Sequence, residues 1–183
     1  MTQIDPKTAS GETKEAFDEA TRQFGGVINL FRVTGNAPNV LKGFLSLNKH
    51  LNDGIELSGK QIEQVAMLVS ALNRCDYCVN VHMGVGQMQG ASRAEMLAAM
   101  EGDAEEVKTQ ALLDYTTEVV RHRGLVSSET LAKVRAVGFS DKALLETIGV
   151  IGLYTLIQYV RHVADPDHDF PIVKEFDPER LGA

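Results

Sequence analysis

Apolar residues recur along the chain at the three- and four-residue spacing of helix faces, in blocks parted by glycine, proline and short polar turns. The first block runs from about Ser10 to Phe24 and stops at Gly25-Gly26, and a short apolar turn, Val27 to Val33, follows. Pro38 suits the first turn of a helix reaching about Asn52, with Asn52-Asp53-Gly54 as its stop. Ser58 with Gln61, and Ser92 with Glu95, read as capping boxes opening helices that reach Leu72 and Gly102. Between these two, another helix begins near Cys75 and ends around Gly90. A long helix covers about Ala104 to Arg123 and is stopped by Gly124. Ser127 or Ser128 caps a helix to Val137. Ser140 caps the last one, which runs to about Val163 before Asp165-Pro166 breaks it. No segment alternates cleanly between apolar and polar positions over a strand's length. The pattern predicts an all-α protein.

Composition agrees and narrows the function classes. Aromatic residues are 6% and Trp is absent, too few for a β-sandwich core, while 183 residues suffice to bury one core without staples. The formal charge is −7 and no Lys/Arg run supplies a basic face, which excludes a general nucleic-acid binder. The first residues, MTQIDPKTASGETKE, are polar and do not read as a signal peptide. The most apolar stretch, Ala143 to Val160, is interrupted by Glu146 and Gln158. The 11 residues between these two are too few to span a bilayer, so no membrane partner and a cytoplasmic setting are expected. No linker divides residues 1–183, which are expected to form a single domain, with the segment 1–36 and the tail 165–183 as arms. The tail carries Asp165, Asp167 and Asp169 and reads as a solvated loop. Phe170 and Phe176 stand where a calcium loop needs its Gly and Glu.

The candidate chemistry lies between Glu63 and His82. Cys75 and Cys78 are the only cysteines, and a pair this close reads as redox or metal chemistry. If Cys75 opens a helix, both thiols lie near its positive end, which favours the thiolate. His82 is one turn after Cys78 on the same face. Along an unbroken helix Glu63 would lie roughly 18 Å from Cys75. If the helix breaks at Asn73-Arg74 and the chain folds back, Glu63 and His82 become rough neighbours. The carboxylate would then orient the imidazole, the imidazole would take the Cys78 proton, and Cys75 would resolve the oxidised Cys78 as a disulfide.

The same residues, Glu63, then Cys75-Asp76-Tyr77-Cys78, then His82, resemble the AhpD-like alkylhydroperoxidases of the carboxymuconolactone decarboxylase superfamily. The resemblance covers roughly Pro38 to Gly124, a core of about 38–124. It implies an orthogonal helical bundle, a homo-oligomer of intertwined subunits and thiol-dependent reduction of hydroperoxides, with no metal or organic cofactor. It matches Cys78 to the peroxidatic cysteine, Cys75 to the resolving one, and His82 and Glu63 to the proton relay. The electrons must come from an external dithiol, a thioredoxin-like protein or a dihydrolipoamide-type donor. The well-studied members place a His immediately before the second cysteine, where this chain has Tyr77.

Other readings stand beside this one. The two cysteines can be buried core thiols, and Glu63 a solvated carboxylate. Cys75, Cys78 and His82 offer three zinc ligands, with His50 as a possible fourth. His50, His122, His162 and His168 read as structural or surface groups. Ile148, Ile151, Thr155, Gln158 and Tyr159 form an apolar face suited to core or subunit interface. A carboxymuconolactone-type decarboxylase, a general thiol–disulfide oxidoreductase and a non-catalytic redox-sensing or zinc-binding module remain as rival functions.

Overall fold

The computed structural model describes residues 1–179, and in them every regular element is an α-helix. They are α1 (Gly11–Phe24), α2 (Asn29–Thr34), α3 (Pro38–Leu51), α4 (Gly59–Leu72), α5 (Asp76–Met88), α6 (Arg93–Glu101), α7 (Val107–Arg121), α8 (Ser128–Ala136) and α9 (Asp141–Ala164). The capping chemistry read from the sequence is present as hydrogen bonds. Ser58 and Ser92 form complete capping boxes with Gln61 and Glu95, and the hydroxyls of Ser127 and Ser140 accept from Thr130 and Ala143 N–H groups.

Helix α4 is the centre of the bundle. Every residue from Ile62 to Ala71 is buried, and α4 packs against α5, α6, α7 and α9. A helix surrounded in this way tolerates a polar group only where a partner meets it. Around it the apolar side chains gather in clusters. One joins Phe17, Phe31, Phe44 and Leu45 of α1–α3 to Cys75, Tyr77 and Cys78 and to Leu153 and Ile157 of α9. Another packs α4, α7, α8 and the first half of α9, and another packs α4 to α7 under Val173 of the tail.

The structure departs from the sequence reading in four places. Residues Asn29–Thr34 form a helix, although no side chain caps it. Helix α7 starts at Val107, later than Ala104, because the Gln110 amide accepts from Ala104 N–H (2.7 Å) and donates to the Gly102 carbonyl (3.0 Å), holding that segment as a loop. Helix α9 spans 24 residues and, by length and composition alone, is apolar enough to cross a membrane, so the short-run argument from the sequence fails. Its buried residues pack on α3, α4 and α7. The tail is a largely exposed loop, but it is anchored to the bundle. Val173 is buried and its N–H donates to Asn80 Oδ1 (2.8 Å), and Arg93 pairs with Glu175.

Candidate active site

The site is built where the chain leaves α4 and enters α5. Asn73 ends α4, Arg74 takes a left-handed conformation (φ 56°), and the N–H groups of Arg74 and Cys75 return to the carbonyls of Ala71 (3.0 Å) and Ser70 (2.8 Å). This paired closure is a Schellman motif with arginine where glycine is usual. A non-glycine residue there costs on the order of 1 kcal/mol, so the surroundings must hold it. Helix α9 does so from the side. The fully buried Gln158 amide donates to Ser70 Oγ (3.0 Å) and accepts from Asn73 Nδ2 (2.7 Å), and His162 Nε2 meets the Asn73 carbonyl (2.8 Å). Gln158, read from the sequence as a core or interface residue, and His162, read as a structural or surface group, thus brace the turn.

The reversal brings the four sequence-predicted residues together. Cys75 is the N-cap of α5, and its sulfur accepts from the Cys78 N–H (3.3 Å). Cys75 and Cys78 are joined as a disulfide, with 5.3 Å between their Cα atoms. One turn on, His82 Nδ1 lies 2.7 Å from Glu63 Oε2, with both side chains buried. An ionised carboxylate can only accept, so the bond places a proton on Nδ1, and in the neutral imidazole Nε2 is then the nitrogen with the lone pair. Glu63 is therefore not the solvated carboxylate of the rival reading. Among the described residues no group of three or more His, Cys, Asp and Glu side chains is arranged to hold a metal ion, which leaves the zinc reading without a ligand set. His50 is exposed and meets the Ser46 carbonyl.

A cavity of about 250 Å³ opens onto Cys78, Glu63 and His82. Cys75 is fully buried and does not line it. Apart from Tyr77 and Tyr154 its walls are otherwise apolar, with Phe31, Phe44, Val81 and Ile157 and the more exposed Phe24 and Met88. Two wall residues were not legible as site residues. Tyr154 of α9 sets its ring edge-on to His82, with centroids 4.5 Å apart. Burial, and then the charge of Glu63, push its hydroxyl well above the usual tyrosine range. Phe170 comes from the tail, whose only sequence signal was its acidic cluster.

Tyr77 is almost fully buried. Its hydroxyl donates to Asp169 and accepts from the Leu30 N–H (3.4 Å), and its ring stacks on His168. Burial first, and the Asp169 carboxylate second, hold this hydroxyl far above the ordinary tyrosine pKa. His168, read from the sequence as a structural or surface group, meets Asn80 Nδ2 (3.1 Å) and lies 3.5 Å from Asp76, which also pairs with Arg161 (3.0 Å). The tail is fastened across the start of α5 and supplies part of the cavity wall.

Residues 38–121 match the profile of the carboxymuconolactone decarboxylase family. No curated protein matches the chain. Among solved structures the chain is similar to an uncharacterized peroxidase-related protein from a Silicibacter species (20% identity, 92% of this chain and 93% of that one, TM-score 0.76). It is also similar to an AhpD-core peroxidase-related protein from Ralstonia eutropha (17% identity, 96% and 93%, TM-score 0.78). A debrominase in complex with 2,3,4-tribromopyrrole is a further match (16% identity, 92% and 90%, TM-score 0.77). At these identities the likeness shows the AhpD-like fold.

Proposed function

Residues 38–121 match the carboxymuconolactone decarboxylase family, and from that premise we propose that the chain is a thiol-dependent peroxidase. The observation that supports this reading is one cavity onto which Cys78 opens beside His82, whose far nitrogen is fixed by the buried Glu63. In the reduced protein His82 Nε2 takes the Cys78 proton, and the thiolate attacks a hydroperoxide oxygen. The O–O bond breaks, its electron pair leaves on the alkoxide, and the returned proton gives the alcohol and a Cys78 sulfenic acid. The Cys75 thiol then displaces water to form the disulfide, and an external dithiol reduces it. Such turnover belongs in a reducing compartment, which is why a cytoplasmic setting goes with the reading.

The test is peroxide consumption with a small dithiol donor, comparing the native chain with Cys78→Ser. The native chain should consume tert-butyl or cumene hydroperoxide and the variant should not. Absence of turnover by the native chain overturns the proposal. Reduction of a disulfide substrate alone would then favour a general oxidoreductase, and conversion of a lactone acid a decarboxylase.

The aromatic walls favour one further reading, debromination, the activity named for the debrominase neighbour. There thiolate would take bromine from an aromatic carbon, a proton would fill the vacated position, and Cys75 would release bromide as the disulfide forms. Self-association completes the proposal. Leu145, Leu156, Tyr159 and Val163 of α9 stand exposed, and a second subunit would cover such a face. A monomeric mass by light scattering at micromolar concentration would overturn it.

A further inference from the structure

Of the polar groups on the cavity wall, most are already engaged. Glu63 and His82 hold each other, the Tyr77 hydroxyl is bound to Asp169, and Cys78 is the proposed nucleophile. Tyr154 remains. Its ring is fixed edge-on against His82, yet no hydrogen bond among the described residues engages its hydroxyl. The bundle's other interior tyrosines, Tyr77 and Tyr115, bond theirs to Asp169 and to the Leu144 carbonyl. A hydroxyl in an apolar cavity is normally paired. One left open in the cavity onto which Cys78 opens is placed for an acceptor that arrives with the substrate.

We propose that Tyr154 is a catalytic residue whose hydroxyl donates to the oxygen that leaves when Cys78 attacks. The proposal rests on the peroxidase reading. As the O–O bond breaks, its electron pair collects on the departing alkoxide. The Tyr154 O–H supports that charge and passes its proton to it, giving the alcohol. His82, holding the proton taken from the Cys78 thiol, restores the tyrosine. Burial and the Glu63 charge keep the hydroxyl protonated near neutral pH, as a donor must be. The donor stabilises charge present only in the transition state, so its effect falls on the rate more than on binding.

The experiment compares native chain and Tyr154→Phe, which keeps the ring against His82 and removes only the hydroxyl. Three reagents act on the reduced protein: tert-butyl hydroperoxide, peracetic acid and iodoacetamide. An alkoxide is a poor leaving group and needs the donor, whereas acetate and iodide leave unaided. The variant should lose roughly 10²-fold or more with tert-butyl hydroperoxide. With peracetic acid and iodoacetamide it should stay within roughly twofold of native, which also reports that the fold and thiolate are intact. An equal loss with all three, or no loss with tert-butyl hydroperoxide, overturns the role of Tyr154. Inactivity of the native chain toward both peroxides, with normal alkylation, overturns the peroxidase reading instead.

Discussion

Tyr77 and Asp169, 92 positions apart, share a hydrogen bond that ties the tail to the first turn of α5. Asp169 also accepts from the Asn29 N–H (2.9 Å), and Tyr77 from the Leu30 N–H, so the pair links α2, α5 and the tail at one point. Tyr77 lies between the two cysteines in sequence. The bond therefore connects the redox turn to the segment that supplies Phe170 to the cavity.

Tyr77→Phe should loosen that segment. The ring can stay stacked on His168 while the bond to a carboxylate is lost, a change worth about 1–3 kcal/mol locally. Amide hydrogen exchange should speed up over residues 165–176 while the buried centre of α4 keeps its protection. Asp169→Asn should act in the same direction. Unchanged exchange in both variants would mean that Val173 and Glu175 hold the tail without this bond.

Cys78 should be the cysteine that peroxide oxidises, because it opens onto the cavity and Cys75 does not. In reduced Cys75→Ser, one equivalent of hydroperoxide should leave a sulfenic acid on Cys78 that dimedone labels. Dimedone on Cys75 in Cys78→Ser, with none on Cys78 in the other variant, would reverse the assignment.

The helices with serine caps and glycine stops were legible because their signals are local. The α4–α5 reversal was legible too, since an unbroken helix would have separated Glu63 from everything it could serve. Helix α2 was not, because its N-cap is Ile28 and no side chain announces it. Tyr154 was hidden in a helix whose apolar pattern describes packing, and only the approach of α9 to α5 puts it beside His82. The tail failed for the same reason. Its partners Asn29, Tyr77, Asn80 and Arg93 lie on three helices far away in sequence, so its charges looked free.

Glu95 should make stability depend on acid. Its hydrogen bond from Lys60, then that from the Ser92 backbone, hold the carboxyl at about 2. An unfolded glutamate titrates near ~4.3. The folded value is the lower one, so the contribution is complete above the unfolded pKa and is lost as pH falls toward about 2. Glu95→Gln should cost up to about 1 kcal/mol at pH 7, since the pair is exposed. Denaturant midpoints of native and variant should converge between about pH 5 and pH 2. A gap independent of pH would assign the loss to packing.

Glu63 should act on Cys78 only through His82. The carboxylate touches Nδ1, and the nitrogen left for the thiol is Nε2, so the charge of Glu63 reaches the sulfur by fixing and supporting the imidazole. Glu63→Gln keeps the shape and removes the charge. The pH profile for alkylation of Cys78 should then move up by about one unit, a roughly tenfold slower reaction near neutral pH. In a His82→Ala background the same change should do little, because nothing remains to be oriented. The two residues should also be coupled in stability. His82→Ala alone leaves a buried carboxylate without its partner, a loss of about 3–5 kcal/mol, and adding Glu63→Gln should recover part of it. A double-mutant cycle reads both quantities. Additive effects on the alkylation profile would break the relay, even if the stability terms remain coupled. In that case the pair holds α4 to α5 and the thiolate of Cys78 owes its reactivity to the positive end of α5.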